Sequence, residues 1–177
     1  MNRTTQKSSD STQQEQPVPE VQIRLAEAGD ATAVATVLHK SFVEFEALYT
    51  PRGFAATTPD AAQVLARMRE GPVWLAFRNV EILGTVAAVL KGEWAYLRGM
   101  AVLPAARHLR VGARLLEHVE RWARDQGCRR LFLSTTPFLD GAIRLYEKFG
   151  FRRAGEGTHD LFGTPLFTME KDLPPMG

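Results

Sequence analysis

A chain of 177 residues that is 45% hydrophobic and 24% charged is long enough for one domain with a sizeable core and is ordinary for a globular protein. Its net charge of +2 is too weak to argue for nucleic acid, and its single cysteine, Cys128, excludes an internal disulfide. Every apolar run falls short of the roughly 20 residues that a membrane-spanning helix needs, so a cytoplasmic protein without membrane contact is the expectation.

Residues 1–19 are polar, low in complexity and without the apolar core of a secretory signal, and are expected to form a disordered tail. Residues 20–177 read as one domain. Within it, 21–25 alternates as a first strand. Asp30 precedes a helical pattern with Val34, Val37, Leu38 and Phe42 on one face. An aromatic, acidic segment (42–49) follows, and Thr50-Pro51-Arg52-Gly53 reads as a loop. Thr58 as N-cap and Pro59 at the first helical position announce a second helix, with Val64, Leu65 and Met68 inward and a stop near Gly71.

Three strands come next, at 73–78, 81–90 and 94–103, with turns near Asn79 and at Lys91-Gly92. Connections this short predict antiparallel hairpins. Strict alternation on the third strand places Trp94, Tyr96, Arg98, Met100 and Val102 on one face. A basic loop (104–110) leads into the longest helix, 111–126, whose buried stripe is Val111, Leu115, Val119, Trp122 and Ala123, with Gly127 at C′. A short apolar strand (131–135), a helix (139–149) carrying Ala142, Leu145, Tyr146 and Phe149 inward, and a closing antiparallel pair (151–155 and 165–171) complete the chain. The strand–helix–strand unit across 94–135 predicts a parallel crossover. The expected fold is therefore α/β, a mixed and mostly antiparallel sheet with helices on both faces.

Three strings in this order carry a resemblance. They are Met100-Ala-Val-Leu-Pro104 with Ala-Ala-Arg-His-Leu-Arg-Val-Gly-Ala-Arg-Leu-Leu116 after it, Ala142-Ile-Arg-Leu-Tyr-Glu-Lys-Phe-Gly-Phe151, and Ile23-Arg24-Leu25-Ala-Glu-Ala-Gly-Asp30. Over 21–171 the chain resembles the GNAT superfamily of acyl-CoA-dependent N-acyltransferases, whose fold has a splayed parallel strand pair at the CoA site. The resemblance implies acetyl-CoA as donor and an amine of a small molecule or peptide as acceptor. It also carries an expectation of a homodimer.

A helix N-terminus offers unpaired N–H groups to a pyrophosphate, here the amides of Leu109, Arg110, Val111, Gly112, Ala113 and Arg114. Arg107, His108, Arg110 and Arg114 supply positive charge beside them. By resemblance, the backbone of Met100, Ala101 and Val102 pairs with the pantetheine arm, and Tyr146 is the general acid for the departing sulfur. Two positions depart from the family pattern. Arg110 stands in place of a glycine, and Leu139 in place of an asparagine whose contact is either lost or supplied by Thr135 or Thr136.

Glu93 is the candidate general base, with Glu44 and Glu46 as further carboxylates. Phe42, Phe45, Tyr49 and Phe54 are placed by analogy in the acceptor pocket, where aromatic walls with carboxylates would suit a cationic amine. The histidines (His39, His108, His118, His159) lack ligand spacing, so no metal is expected. The competing reading is an acyl-CoA-binding module whose catalysis is weakened by Arg110 and Leu139.

Overall fold

The computed structural model describes residues 18–155 and 159–175, so most of the expected tail lies outside the described residues. The elements are β1 (Gln22–Leu25), α1 (Ala31–Phe42), α2 (Pro51–Thr57), α3 (Ala61–Glu70), β2 (Val73–Arg78), β3 (Glu81–Lys91), β4 (Trp94–Val102), α4 (Val111–Asp125), β5 (Arg130–Thr135), α5 (Asp140–Lys148), β6 (Arg152–Arg153), β7 (His159–Leu161) and β8 (Thr164–Asp172). The sheet runs β1-β2-β3-β4-β5-β8-β6, with β7 paired to β8. Only β4 and β5 are parallel, because α4 must carry the chain back across the sheet between them. The α/β expectation holds.

Two apolar layers cover the sheet. On one side Val111, Leu115, Val119 and Ala123 of α4 pack with Tyr146 of α5 against Leu83, Ala95, Leu97, Leu131 and Leu133. On the other, Val34, Val37 and Leu38 of α1 and Val64 of α3 meet Leu75, Ala87 and Ala101. Helix α4 ends as its glycine predicts. Gly127 takes φ 76°, its N–H donates to Arg124 O (2.9 Å) and that of Cys128 to Ala123 O (2.9 Å), the pairing of a Schellman stop. The opening string closes on itself. Arg24 donates to both oxygens of Asp30 (2.7 and 2.9 Å) and the Glu27 N–H to one of them (2.8 Å), which holds the Asp30 carboxyl at about 2. No helix among the described residues is long and apolar enough to cross a membrane.

Several local expectations are corrected. The segment read as a loop at 50–53 begins α2. Thr50 is its N-cap, accepting from the Gly53 N–H, and Pro51 sits in the first turn where its missing donor is harmless. Thr58 then closes α2 instead of opening α3, whose cap is a reciprocal pair between Asp60 and Gln63. Leu65 is 37% exposed, at the edge of the core-facing stripe formed by Val64 and Met68. Strand β7 was not anticipated. Trp94, at the start of β4, is 41% exposed under the Arg130 guanidinium.

The start of α2 is pinned to the β7–β8 turn. Thr50 N–H donates to Thr164 Oγ1 (2.9 Å) and Thr50 Oγ1 to Phe162 O (2.8 Å). A Cβ on Gly53 would run into Thr164 Oγ1 and come within 2.9 Å of Leu161 O and Thr50 Oγ1. Gly53→Ala is therefore expected to cost about 2 to 3 kcal/mol, read as a lower urea midpoint at unchanged slope.

The consequential departure lies in β4. Arg98 pairs with Ala87 and Ala101 with Thr85, so Gly99 and Met100 together oppose Val86. Gly99 takes φ 56°, the backbone of a β-bulge with glycine in the left-handed region. The extra residue flips every side chain after it. Ala95 and Leu97 lie in the α4/α5 layer, yet Ala101, of the same parity, lies in the α1/α3 layer, and Met100 and Val102 pack against the α4/α5 side. The single face expected from Trp94 to Val102 does not exist.

Candidate active site

The bulge opens the sheet. β4 and β5 pair only from Trp94 with Arg130 to Leu97 with Leu133. Beyond that point β4 keeps its β3 neighbour as far as Val102 but has no partner on its β5 side. The peptide groups of β4 between Met100 and Val102 that face the β5 side are thereby left free to receive an extended ligand arm as an added strand.

Helix α4 begins where this free edge ends. Arg114 N–H donates to Arg110 O (3.1 Å), so the amides of Val111, Gly112 and Ala113 precede the helical ladder. Arg110 is the N-cap and provides no side-chain cap. Those donors and the positive end of the helix dipole form a place for an anion. Arg110 stands at φ 57°, ψ 25°, so the chain follows a glycine-like path with an arginine in it. A non-glycine residue in this conformation costs about 1 kcal/mol or more. Arg110→Gly is therefore expected to raise stability by about 1 kcal/mol, seen as a higher urea midpoint. Gly112 is a real constraint: a Cβ there would stand 2.7 Å from Leu145 Cδ2 and 3.4 Å from Met100 Cε, filling the space between α4, α5 and the β4 edge.

Tyr146 reaches this opening from α5. Its ring packs on Phe151 (5.8 Å between centroids) in the α4/α5 layer. Burial, with the nearby Tyr49 phenol adding to it, raises its hydroxyl well above the ordinary tyrosine range. Tyr49, which follows the short helical stretch after α1, is itself buried and lies near enough for its phenol to act on that of Tyr146. Burial raises the Tyr49 phenol as well, against the opposing hydroxyls of Thr136 and Thr57. Thr136 Oγ1 is sealed from solvent without hydrogen-bond geometry to any described group. Around Tyr49 stand Phe138 (4.9 Å) and Phe54 (5.9 Å), with Phe45 6.4 Å from Phe138 and His39 5.9 Å from Phe54.

The structure thus brings together Tyr146, the 100–102 edge, the amides of 111–113, Thr135 at the end of β5, and Tyr49 with Phe45 and Phe54. Phe42 packs instead in the α1/α3 layer. Other expected residues are elsewhere. Glu93 precedes β4 at the end remote from the opening, 67% exposed and paired with Arg129 (3.3 Å), so it is not placed to act on a substrate there. Arg107 turns toward α1, donating to Ser41 O (3.4 Å) and pairing with Glu44, which engages that carboxylate too. Arg114 donates to Val21 O (2.8 Å) at the β1 end. Glu46, His108 and Arg110 are exposed, and Leu109 packs against the α4/α5 layer.

Phe138 escaped the sequence reading because it belongs to neither a strand nor a helical stripe. Burial raises the Cys128 thiol, which keeps it inert. Among the described residues no group of His, Cys, Asp or Glu could hold a metal ion.

The model of the acetyltransferase (GNAT) family matches residues 37–151. Among relatives, the chain is 38% identical over 91 residues to the IAA acetyltransferase of Azospirillum brasilense, covering 51% of this chain and 59% of that protein. It is 30% identical over 129 residues to the uncharacterized N-acetyltransferase YjgM of Escherichia coli (strain K12), covering 69% and 76%. The match to the first of these spans less than two thirds of its length. The fold superposes on the PaiA N-acetyltransferase of Thermoplasma acidophilum, crystallised with coenzyme A, with a TM-score of 0.73 at 18% identity, over 87% of this chain and 99% of that one.

Proposed function

The chain belongs to the GNAT family of acetyltransferases, and we propose that it moves an acetyl group from acetyl-CoA directly to a primary amine of a small molecule or peptide. The observation that carries this reading is the meeting of three features at one opening: a free β4 edge, an uncapped α4 N-terminus and a buried, protonated tyrosine. The Thermoplasma relative's coenzyme A complex supports the donor assignment.

The residues present suit that donor. The amides of Val111, Gly112 and Ala113 would hold the pyrophosphate, with Arg110 beside them. The edge from Met100 to Val102 would pair with the pantetheine arm. Arg110 does not distort the loop away from this role, because it adopts the backbone that a glycine would. Bound there, acetyl-CoA supplies an activated acyl group whose thiolate needs a proton as it leaves. Tyr146 keeps its proton at every physiological pH and is poised to give it to that sulfur. An amine with pKa about 10.4 is neutral in only about one molecule per few thousand at pH 7. With Glu93 remote from the opening, transfer should speed up as pH rises toward the amine's own pKa.

Isothermal titration with acetyl-CoA tests the reading first, followed by an acceptor screen that detects released thiol. Micromolar binding with acceptor-dependent thiol release supports transfer. Binding without release from any acceptor would favour the weakened, CoA-binding module. Absence of binding would overturn the donor assignment.

A further inference from the structure

On the α1/α3 face of the sheet two arginines stand beside the opening, and the proposed transfer uses neither. Arg98 is the residue before the bulge. Its Nη1 pairs with Glu70 Oε2 (2.9 Å), and its side chain is 20% exposed. Its Nε and Nη2 are sealed from solvent and have no hydrogen-bond partner among the described residues. Arg67 lies on α3, one turn before Glu70. It donates through Nη2 to Ala56 O (2.8 Å), and its Nη1 is 3.7 Å from where a Cβ on Gly99 would stand. Burial and the charge of Arg98 both depress the Arg67 guanidinium. Of the two cations, only Arg98 is paired with a carboxylate, and Glu70 is itself 52% exposed.

Buried donors without partners are rare and expensive. Here they are not scattered. Among the described residues the other sealed side-chain atoms without hydrogen-bond geometry are Ser41 Oγ and Thr136 Oγ1, the latter facing the Tyr49 phenol. Ser41 is one turn past Leu38, whose Cδ2 also lies 3.7 Å from the Gly99 Cβ position, and Thr136 directly follows β5 beside Tyr49. All of these atoms belong to elements bordering the place where β4 and β5 part. The two free donors of Arg98 are also a matched pair. Nε–H and Nη2–H lie parallel along one edge of the guanidinium, the spacing that fits the two oxygens of a carboxylate.

We propose that the amine acceptor carries a carboxylate, which displaces the groups that seal the Nε–Nη2 edge of Arg98 and is gripped by that edge with the Arg67 charge behind it. The aromatic group of Tyr49, Phe54 and Phe138 then faces an apolar part of the same molecule, so the acceptor class is amino-acid-like. This replaces the expectation of a purely cationic amine, since Glu44 is engaged by Arg107 and Glu93 is remote. The assignment deepens the transferase reading and rests on it, but its test does not require turnover.

The test is calorimetric titration of the full chain with the N-acetylated forms of the twenty common amino acids and with their carboxamides, with and without coenzyme A. These are the products such an acceptor would give. At least one carboxylate should bind about 10- to 100-fold more tightly than its amide, and Arg98→Gln should erase that difference. Arg98→Lys should restore only part of it, because a lysine keeps the charge and loses the fork. Acetyl-CoA affinity should be the same in all three proteins. Arg67→Gln, expected to weaken the carboxylates alone, carries the test if Arg98→Gln does not fold. A panel in which no carboxylate binds better than its amide would overturn the proposal. So would an unchanged preference in the folded glutamine variants. If acetyl-CoA itself fails to bind, the transferase reading falls separately, and the carboxylate preference is still read directly.

Discussion

Tyr146→Phe is expected to lower kcat for acetyl transfer by about 10²- to 10³-fold while leaving the dissociation constant for acetyl-CoA unchanged. The substitution removes one oxygen from a ring whose packing against Phe151 stays in place, so the fold should be retained and the melting temperature should move little. What is lost is the proton for the departing thiolate. A thiol with pKa about 8.5 is a moderately good leaving group without help, which is why the expected loss stops short of the largest effects known for general acids. Burial favours the protonated Tyr146 hydroxyl, which suits the proposed role of donor and not that of base. Its hydroxyl is held above the ordinary range by desolvation and by the neighbouring Tyr49 phenol, so it stays protonated through the whole physiological window, and the activity should show no loss of an acid below pH 9. Steady-state kinetics with thiol detection, beside a calorimetric acetyl-CoA titration, decides it. A kcat within about threefold of the natural protein would mean that the thiolate leaves unaided.

Gly112→Asp should weaken acetyl-CoA binding by about 100-fold or more. Two effects act together. The position lies in the first turn of α4, so a carboxylate there would stand among the amides proposed for the pyrophosphate. Unit charges about 4 Å apart at an effective dielectric of about 20 repel by about 4 kcal/mol before salt screening. The side chain would also collide with Leu145 Cδ2, 2.7 Å from the nearest position its Cβ could take. A first-turn aspartate is otherwise favourable to a helix, so loss of binding need not come with loss of the helix. Gly112→Ala separates the two terms, since it introduces the collision without the charge and should cost the smaller share. If both variants bind acetyl-CoA as the natural protein does, the α4 N-terminus is not the phosphate site.

Much of this architecture was written locally. The turns at Asn79 and Lys91-Gly92 defined the β2–β3–β4 meander because connections that short leave only antiparallel neighbours. The stripe of Val111, Leu115, Val119 and Ala123 marked α4 because every fourth residue of a helix returns to one face, and Gly127 marked its end. Short-range signals failed where two readings share the same residues. Thr50-Pro51 serves a turn or a helix start equally well, and the choice fell to Thr164 and Phe162, which hold the Thr50 end of α2 from more than 110 residues away.

From residues alone, the sequence determined most of the helix and strand order, the position of Tyr146 on α5 and the start of α4, and its resemblance to a known family named the family, since each depends on spacing within one element or its immediate neighbours. Only the tertiary structure decided which groups face the opening. The bulge at Gly99 is a mismatch in pairing between β3 and β4, so it cannot be seen in β4 by itself, and it is this mismatch that reverses Met100 to Val102 and marks where β4 and β5 part. The same long-range packing turned Arg107 and Arg114 to protein partners, left Glu93 at the far end of its strand, and sealed the free edge of Arg98 beside the gap. A side chain's chemistry is carried by its own residue, but its availability is set by what the rest of the chain leaves unpaired around it.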